Sequence, residues 1–67
     1  MAGRLSQDKA GWLILAGEVL KLGEDIEVIV GGNWHRALVR KHKLGTELIL
    51  DNGRCVAGLG LVARRLR

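Results

Sequence analysis

Apolar residues recur along this chain in short runs, each closed by glycine or by a cluster of turn-forming side chains. From Asp25 to Val30 the residues Ile26, Val28 and Val30 alternate with Glu27. That period of two belongs to a strand with one buried and one wetter face. Gly31, Gly32 and Asn33 follow, three residues that tolerate positive φ, as a tight hairpin turn requires. Trp34 to His42 then reads as the returning strand, with Ala37 and Val39 on one face and Arg36, Leu38 and Arg40 on the other. Gly45 breaks the chain before a strand at Glu47 to Leu50. Asp51-Asn52-Gly53 is the strongest hairpin signal, because Asn-Gly suits a type I′ turn, and Arg54 to Ala57 is its partner strand. Gly58 and Gly60 flank Leu59 in a bend or helical turn, and Leu61 to Leu66 forms the last strand.

Upstream, Gly11 to Ala16 ends at Gly17 and Val19 to Leu22 ends at Gly23, which predicts two more strands. A helix over Lys9 to Leu22 competes, since Trp12, Leu15, Val19 and Leu22 sit at helical spacing. Gly11, Gly17 and the apolar filling between them oppose it. The whole pattern predicts an all-β fold, a small curled sheet or barrel of about five to seven short antiparallel strands, like Src-homology-3 or Sm-like barrels.

Composition narrows this further. Sixty-seven residues make one domain, residues 1–67, and so short a chain buries only about 60% of its unfolded surface. There is no Phe, Tyr or Pro, and Trp12 and Trp34 are the two aromatic residues, so the core must be aliphatic. Few large anchors leave a thin stability margin, for which homodimerisation is one natural remedy. No apolar run approaches the ~20 residues of a membrane-spanning helix. No secretory leader is read at the N-terminus, and a lone Cys55 suits a reducing compartment, so a cytoplasmic location is expected.

Charge is segregated. Residues 1–33 carry three basic and five acidic side chains, a sum of −2, and residues 34–67 carry eight and two, a sum of +6, giving the net +4. A positive surface of this kind attracts phosphates or an acidic protein face.

The stock of catalytic chemistry is poor. Ser6, Thr46 and Cys55 are the hydroxyl and thiol candidates, and His35 and His42 read as surface groups rather than general bases. One cysteine and two histidines do not match a zinc site, and no cofactor motif is present. Gly58 and Gly60 lack the third glycine and the Lys-Ser or Lys-Thr pair of a phosphate-binding loop. Glu24, Asp25 and Glu27 read as a solvated acidic patch, and Cys55 as a small core residue. An enzyme is therefore not expected.

What remains is the basic set: Arg36, Arg40, Lys41 and Lys43 from one segment, and Arg54, Arg64, Arg65 and Arg67 from later ones, with Trp34 nearby. Arginine meets phosphate bidentately and an exposed tryptophan stacks on bases, so these nine residues are the candidate surface for DNA or RNA. In the opposing reading Trp34 plugs one end of the core and the charges serve solubility.

Two resemblances bear on this. The stretch Gly23-Glu24-Asp25-Ile26-Glu27-Val28-Ile29-Val30-Gly31-Gly32-Asn33-Trp34, with Ala37, Val39, Gly58-Leu59 and the basic tail Arg64-Arg65-Leu66-Arg67, resembles a family of short bacterial proteins of unknown function. Those proteins occur on phages, plasmids and conjugative elements, and the likeness implies a small β domain in a mobile-element setting. That setting suits an inhibitor that binds a host protein as an alternative role, and a structural subunit of an oligomer is a further one. Leu13-Ile14-Leu15, Gly17-Glu18 and Gly23-Glu24-Asp25-Ile26-Glu27-Val28 resemble the opening of the carbon storage regulator family, which binds messenger RNA as an intertwined β dimer. The second half lacks that family's later strand and helix pattern.

Overall fold

The computed structural model describes residues 2–43 and 45–66, and no helix occurs among them. The strands are β1 (Ala2–Arg4), β2 (Ser6–Gln7), β3 (Leu13–Leu15), β4 (Glu18–Val19), β5 (Asp25–Val30), β6 (Asn33–His42), β7 (Gly45–Leu50), β8 (Cys55–Val56) and β9 (Val62–Arg65). A six-stranded sheet has the order β1-β9-β5-β6-β7-β8, and a three-stranded sheet the order β2-β3-β4. Every pairing is antiparallel. The fold is therefore the expected all-β curled sheet. It does not close into a barrel.

The strand count exceeds the expected five to seven because the N-terminal segment adds two. Ala2 to Gln7 shows no alternation of apolar and polar side chains, and it becomes strand only through distant partners. Ala2, Gly3 and Arg4 pair with Arg64, Ala63 and Val62. Leu5 then turns the chain from one sheet to the other, its amide donating to Leu61 O and its carbonyl accepting from Gly60 N. Its side chain is buried, so the crossing is anchored in the core.

That core is aliphatic throughout. Leu5, Leu13, Leu15 and Leu20 come from the N-terminal third and pack against Ile26, Val28, Ala37, Val39, Leu48, Leu50 and Ala63 of the large sheet. The period-two reading holds, with Val30 only partly buried: Ile26 and Val28 are buried, as are Ala37 and Val39, whereas Arg36, Leu38 and Arg40 face solvent. Each fully buried leucine contributes roughly 1.5–3 kcal/mol before entropy is subtracted.

The turns separate two kinds of hairpin. Gly31 and Gly32 both take positive φ, 62° and 84°, and join Val30 to Asn33 in a two-residue turn. Asn33 thus opens β6 rather than completing the turn. Asn52-Gly53 differs from the type I′ expectation, because only Gly53 (85°) takes positive φ. Gly53 N donates to Leu50 O, and Asn52 Oδ1 accepts from Arg54 N, so the side chain of Asn52 stabilises the turn without entering the left-handed region.

Ala16 and Gly17 form the turn between β3 and β4 with φ of 53° and 80°. This geometry excludes the competing helix, and it places a Cβ in the left-handed region at a cost of about 1 kcal/mol. Ala16→Asn is expected to stabilise the domain by roughly 0.5–1 kcal/mol, since Asn-Gly is the preferred pair for two positive φ values. Thermal melting would show a rise of several degrees; an unchanged or lower midpoint would contradict the strain at Ala16.

Candidate nucleic-acid interface

Strand register decides which of the basic residues share a face. Glu27 lies opposite Arg36 on one side and Arg64 on the other. On the outer face of the large sheet Arg64 Nε donates to Glu27 Oε1 at 2.8 Å and Arg36 Nη2 to Asp25 Oδ2 at 2.9 Å. Arg40, directly opposite Glu47, donates through Nε to Glu47 Oε2 at 2.9 Å. Arg65 lies opposite Ile26 and turns away from Arg64, with its guanidinium on Glu24. Glu47 holds the Arg40 guanidinium more firmly protonated than usual through this hydrogen bond. Four of the nine candidates are thus matched by carboxylates within the fold. Exposed pairs of this kind add only about 0–1 kcal/mol to stability, but they cancel the local charge a polyanion would meet.

Trp34 stands on the same outer face, opposite Ile29 and half-buried. It therefore does not plug the core. The Arg64 guanidinium lies 3.9 Å from its ring centroid, a cation–π contact that occupies one face of the indole. A base would have to displace that arginine to stack there.

The remaining cations are distributed unevenly. Lys41 and Lys43 sit at the exposed end of β6 and its turn into β7, with His42 between them. Arg54 begins beyond the opposite end of β7, about a strand length or 17 Å away. Arg67 lies outside the described residues. One further turn, the one that bears Lys9, docks near the β6–β7 end. The turn Asp8-Lys9-Ala10-Gly11 is held by Asp8 Oδ1, which accepts from Ala10 N and Trp12 N. Its last residue docks on β7: Thr46 N donates to Gly11 O at 3.1 Å, and Thr46 Oγ1 donates to the same oxygen. The turn that bears Lys9 is consequently held against the start of β7. Asp8 signals this turn in the sequence, but nothing local signals its neighbour.

Two shallow recesses open at this end. One is lined by Arg40, Lys41, His42, Lys43 and Glu47. The other, about 330 Å³, is lined by Gln7, His42, Thr46, Glu47, Cys55, Val56 and Ala57. Cys55 is exposed rather than in the core, because it faces outward opposite Ile49, and its Sγ lies 3.6 Å from Arg40 Nη2. No group of three or more histidine, cysteine, aspartate or glutamate side chains gathers as metal ligands among the described residues.

His35 belongs to a separate contact. Its Nδ1 lies 3.0 Å from Asp51 Oδ1, and Asp51 N donates to Arg36 O, tying the β7–β8 turn to β6. The hydrogen bond with His35, with the histidine charge and backbone amides helping, holds the Asp51 carboxyl below its ordinary value. A carboxylate lowered in the folded state adds stability above its unfolded value near pH 4 and loses it as pH falls through the folded value. Asp51→Asn is expected to shrink the acid-side decline in melting temperature, measured between about pH 6 and pH 2. An identical decline in both proteins would contradict the contact.

Comparison of the chain with protein-family models, with curated proteins and with solved structures finds no match. The reading of the site therefore rests on its own chemistry.

Proposed function

We propose that this chain is a non-catalytic, cytoplasmic binding module that grips the phosphate backbone of DNA or RNA, without strong sequence preference, through the end formed by Lys41, Lys43 and the turn bearing Lys9. One observation carries the reading. The arginines of the outer face are matched by carboxylates, while no ion pair among the described residues involves Lys9, Lys41 or Lys43. Unmatched ammonium groups at one end provide a positive patch whose counterions a nucleic acid can replace. The poor stock of nucleophiles and the exposed setting of His42 support a role without turnover.

Fluorescence anisotropy with labelled DNA and RNA tests this. Three phosphate contacts predict a fall in affinity of roughly 40-fold between about 50 and 200 mM salt. Binding that ignores salt, or no binding at low salt, would overturn the reading.

A second reading has an observation of its own. Val19 and Leu22 stand 48% and 45% exposed beside the half-buried Trp12, an apolar patch at the free edge of β4. Such a patch fits a protein contact, either with a host protein that the chain inhibits or with a second copy in a homodimer. A partner retained in nuclease-treated lysate would favour the inhibitor, and a dimer mass in light scattering would favour self-association. A monomer that retains no partner would remove both.

A further inference from the structure

The two recesses at the lysine end share His42 and Glu47, and their linings differ in kind. The first is edged by cations. The second lies where β8, an outer strand of the large sheet, approaches β2, an outer strand of the small one. This is a seam that a closed barrel would have sealed. Its wall is partly apolar, from Val56, Ala57 and Cys55, and partly polar, from Gln7 and Thr46.

The polar groups there are not equally available. Thr46 Oγ1 donates to Gly11 O and accepts from Leu13 N, so its hydroxyl is committed to the fold. Gln7 Nε2 donates to Gly11 O at 3.0 Å, which leaves its Oε1 as an acceptor. Glu47 is largely covered, and its charge is matched by Arg40, so it does not repel a nearby phosphate as a bare carboxylate would. His42 is exposed and contributes the aromatic ring common to both linings.

We infer that this pair of recesses takes one unit of a single-stranded nucleic acid: phosphate at Lys41 and Lys43, and an unstacked base in the adjoining seam. Apolar wall, a flat ring and a hydrogen-bonding edge are the elements by which splayed-out bases are held, and the volume of about 330 Å³ lies within the range of small-ligand pockets. A duplex keeps its bases stacked and paired, so it can use the lysines but not the seam. The inference rests on the backbone-binding reading and adds a strand preference that lysines alone do not supply.

Cys55 supplies a direct readout, because it lines the seam and is the chain's one cysteine. The wild-type protein is titrated at low salt with a single strand, the matching duplex and an abasic strand of equal length, as DNA and as RNA. The rate of Cys55 alkylation by N-ethylmaleimide is followed in parallel. The single strand is expected to bind about tenfold tighter than the abasic strand and to slow alkylation by a similar factor, while the duplex and abasic strand leave alkylation unchanged. Ala57→Leu, which narrows the seam at an exposed position, is expected to erase the preference and keep the salt dependence; alkylated wild-type protein should behave likewise. Equal affinity for base-bearing and abasic strands, or alkylation indifferent to bound single strand, would overturn the inference and leave backbone binding standing. Absence of salt-dependent binding to every strand would overturn both.

Discussion

Gly45→Ala is expected to destabilise the domain by roughly 3 kcal/mol or more, a fall in melting temperature of at least about 12 °C for a chain of this size. Gly45 has φ of 134°, where a side chain is strained, and an added Cβ would lie 2.6 Å from Gly11 Cα. Backbone on both sides of this approach leaves no flexible group to yield. The next residue explains why the approach is so close. Thr46 is the buried polar side chain among the described residues, and its hydroxyl joins Leu13 N to Gly11 O across the two sheets. Thr46→Val keeps the shape and removes both hydrogen bonds, at an expected cost of about 1–3 kcal/mol. Gly45→Ala should also detach the Lys9 turn, so at a temperature where it stays folded its nucleic-acid affinity should drop too. Urea unfolding of the three proteins checks this; a Gly45→Ala variant as stable as wild type would refute the clip between the loop and β7.

Reversing Lys41 and Lys43 to glutamate together is expected to remove most of the salt dependence of binding. Each lost phosphate contact reduces the slope of log affinity against log salt by about 1, so a slope near −2.7 for three contacts should fall to about −0.9. The same double reversal at Arg36 and Arg64 should change that slope far less. Those arginines already face Asp25 and Glu27, and a phosphate would have to compete with both carboxylates. The contrast matters more than either value, because total charge changes equally in the two variants. Equal losses would mean that net charge, rather than the lysine end, governs binding.

How much of this was legible beforehand follows from the range of the interactions involved. Local alternation fixed the faces of β5 and β6, since Ile26, Val28, Ala37 and Val39 carry the period of two on their own. The Gly31-Gly32 hairpin was equally local. The strand at Ala2 to Arg4 was not, because its pairing partner is near the opposite end of the chain. Closure into a barrel was a reasonable expectation from edge protection, but the strands instead divide into two sheets at Leu5. The basic set was legible as composition, but not which of its members carboxylates would match. Nothing within Arg36 or Arg64 announces that register will place Glu27 between them, or that adjacent Arg64 and Arg65 must point to opposite sides of a strand once β9 pairs with β5. The docking of the turn that bears Lys9 on β7 was not legible either, because it depends on the long-range contacts of Gly11 with Thr46.

The most direct test is to map contacts by nuclear magnetic resonance, titrating isotope-labelled protein with a short single strand at low salt. Amide shifts concentrated in residues 7–11, 41–43, 45–47 and 55–57, fading as salt is added, are the predicted result. Shifts centred on Trp34, Arg36 and Arg64, with the lysine end silent, would contradict it.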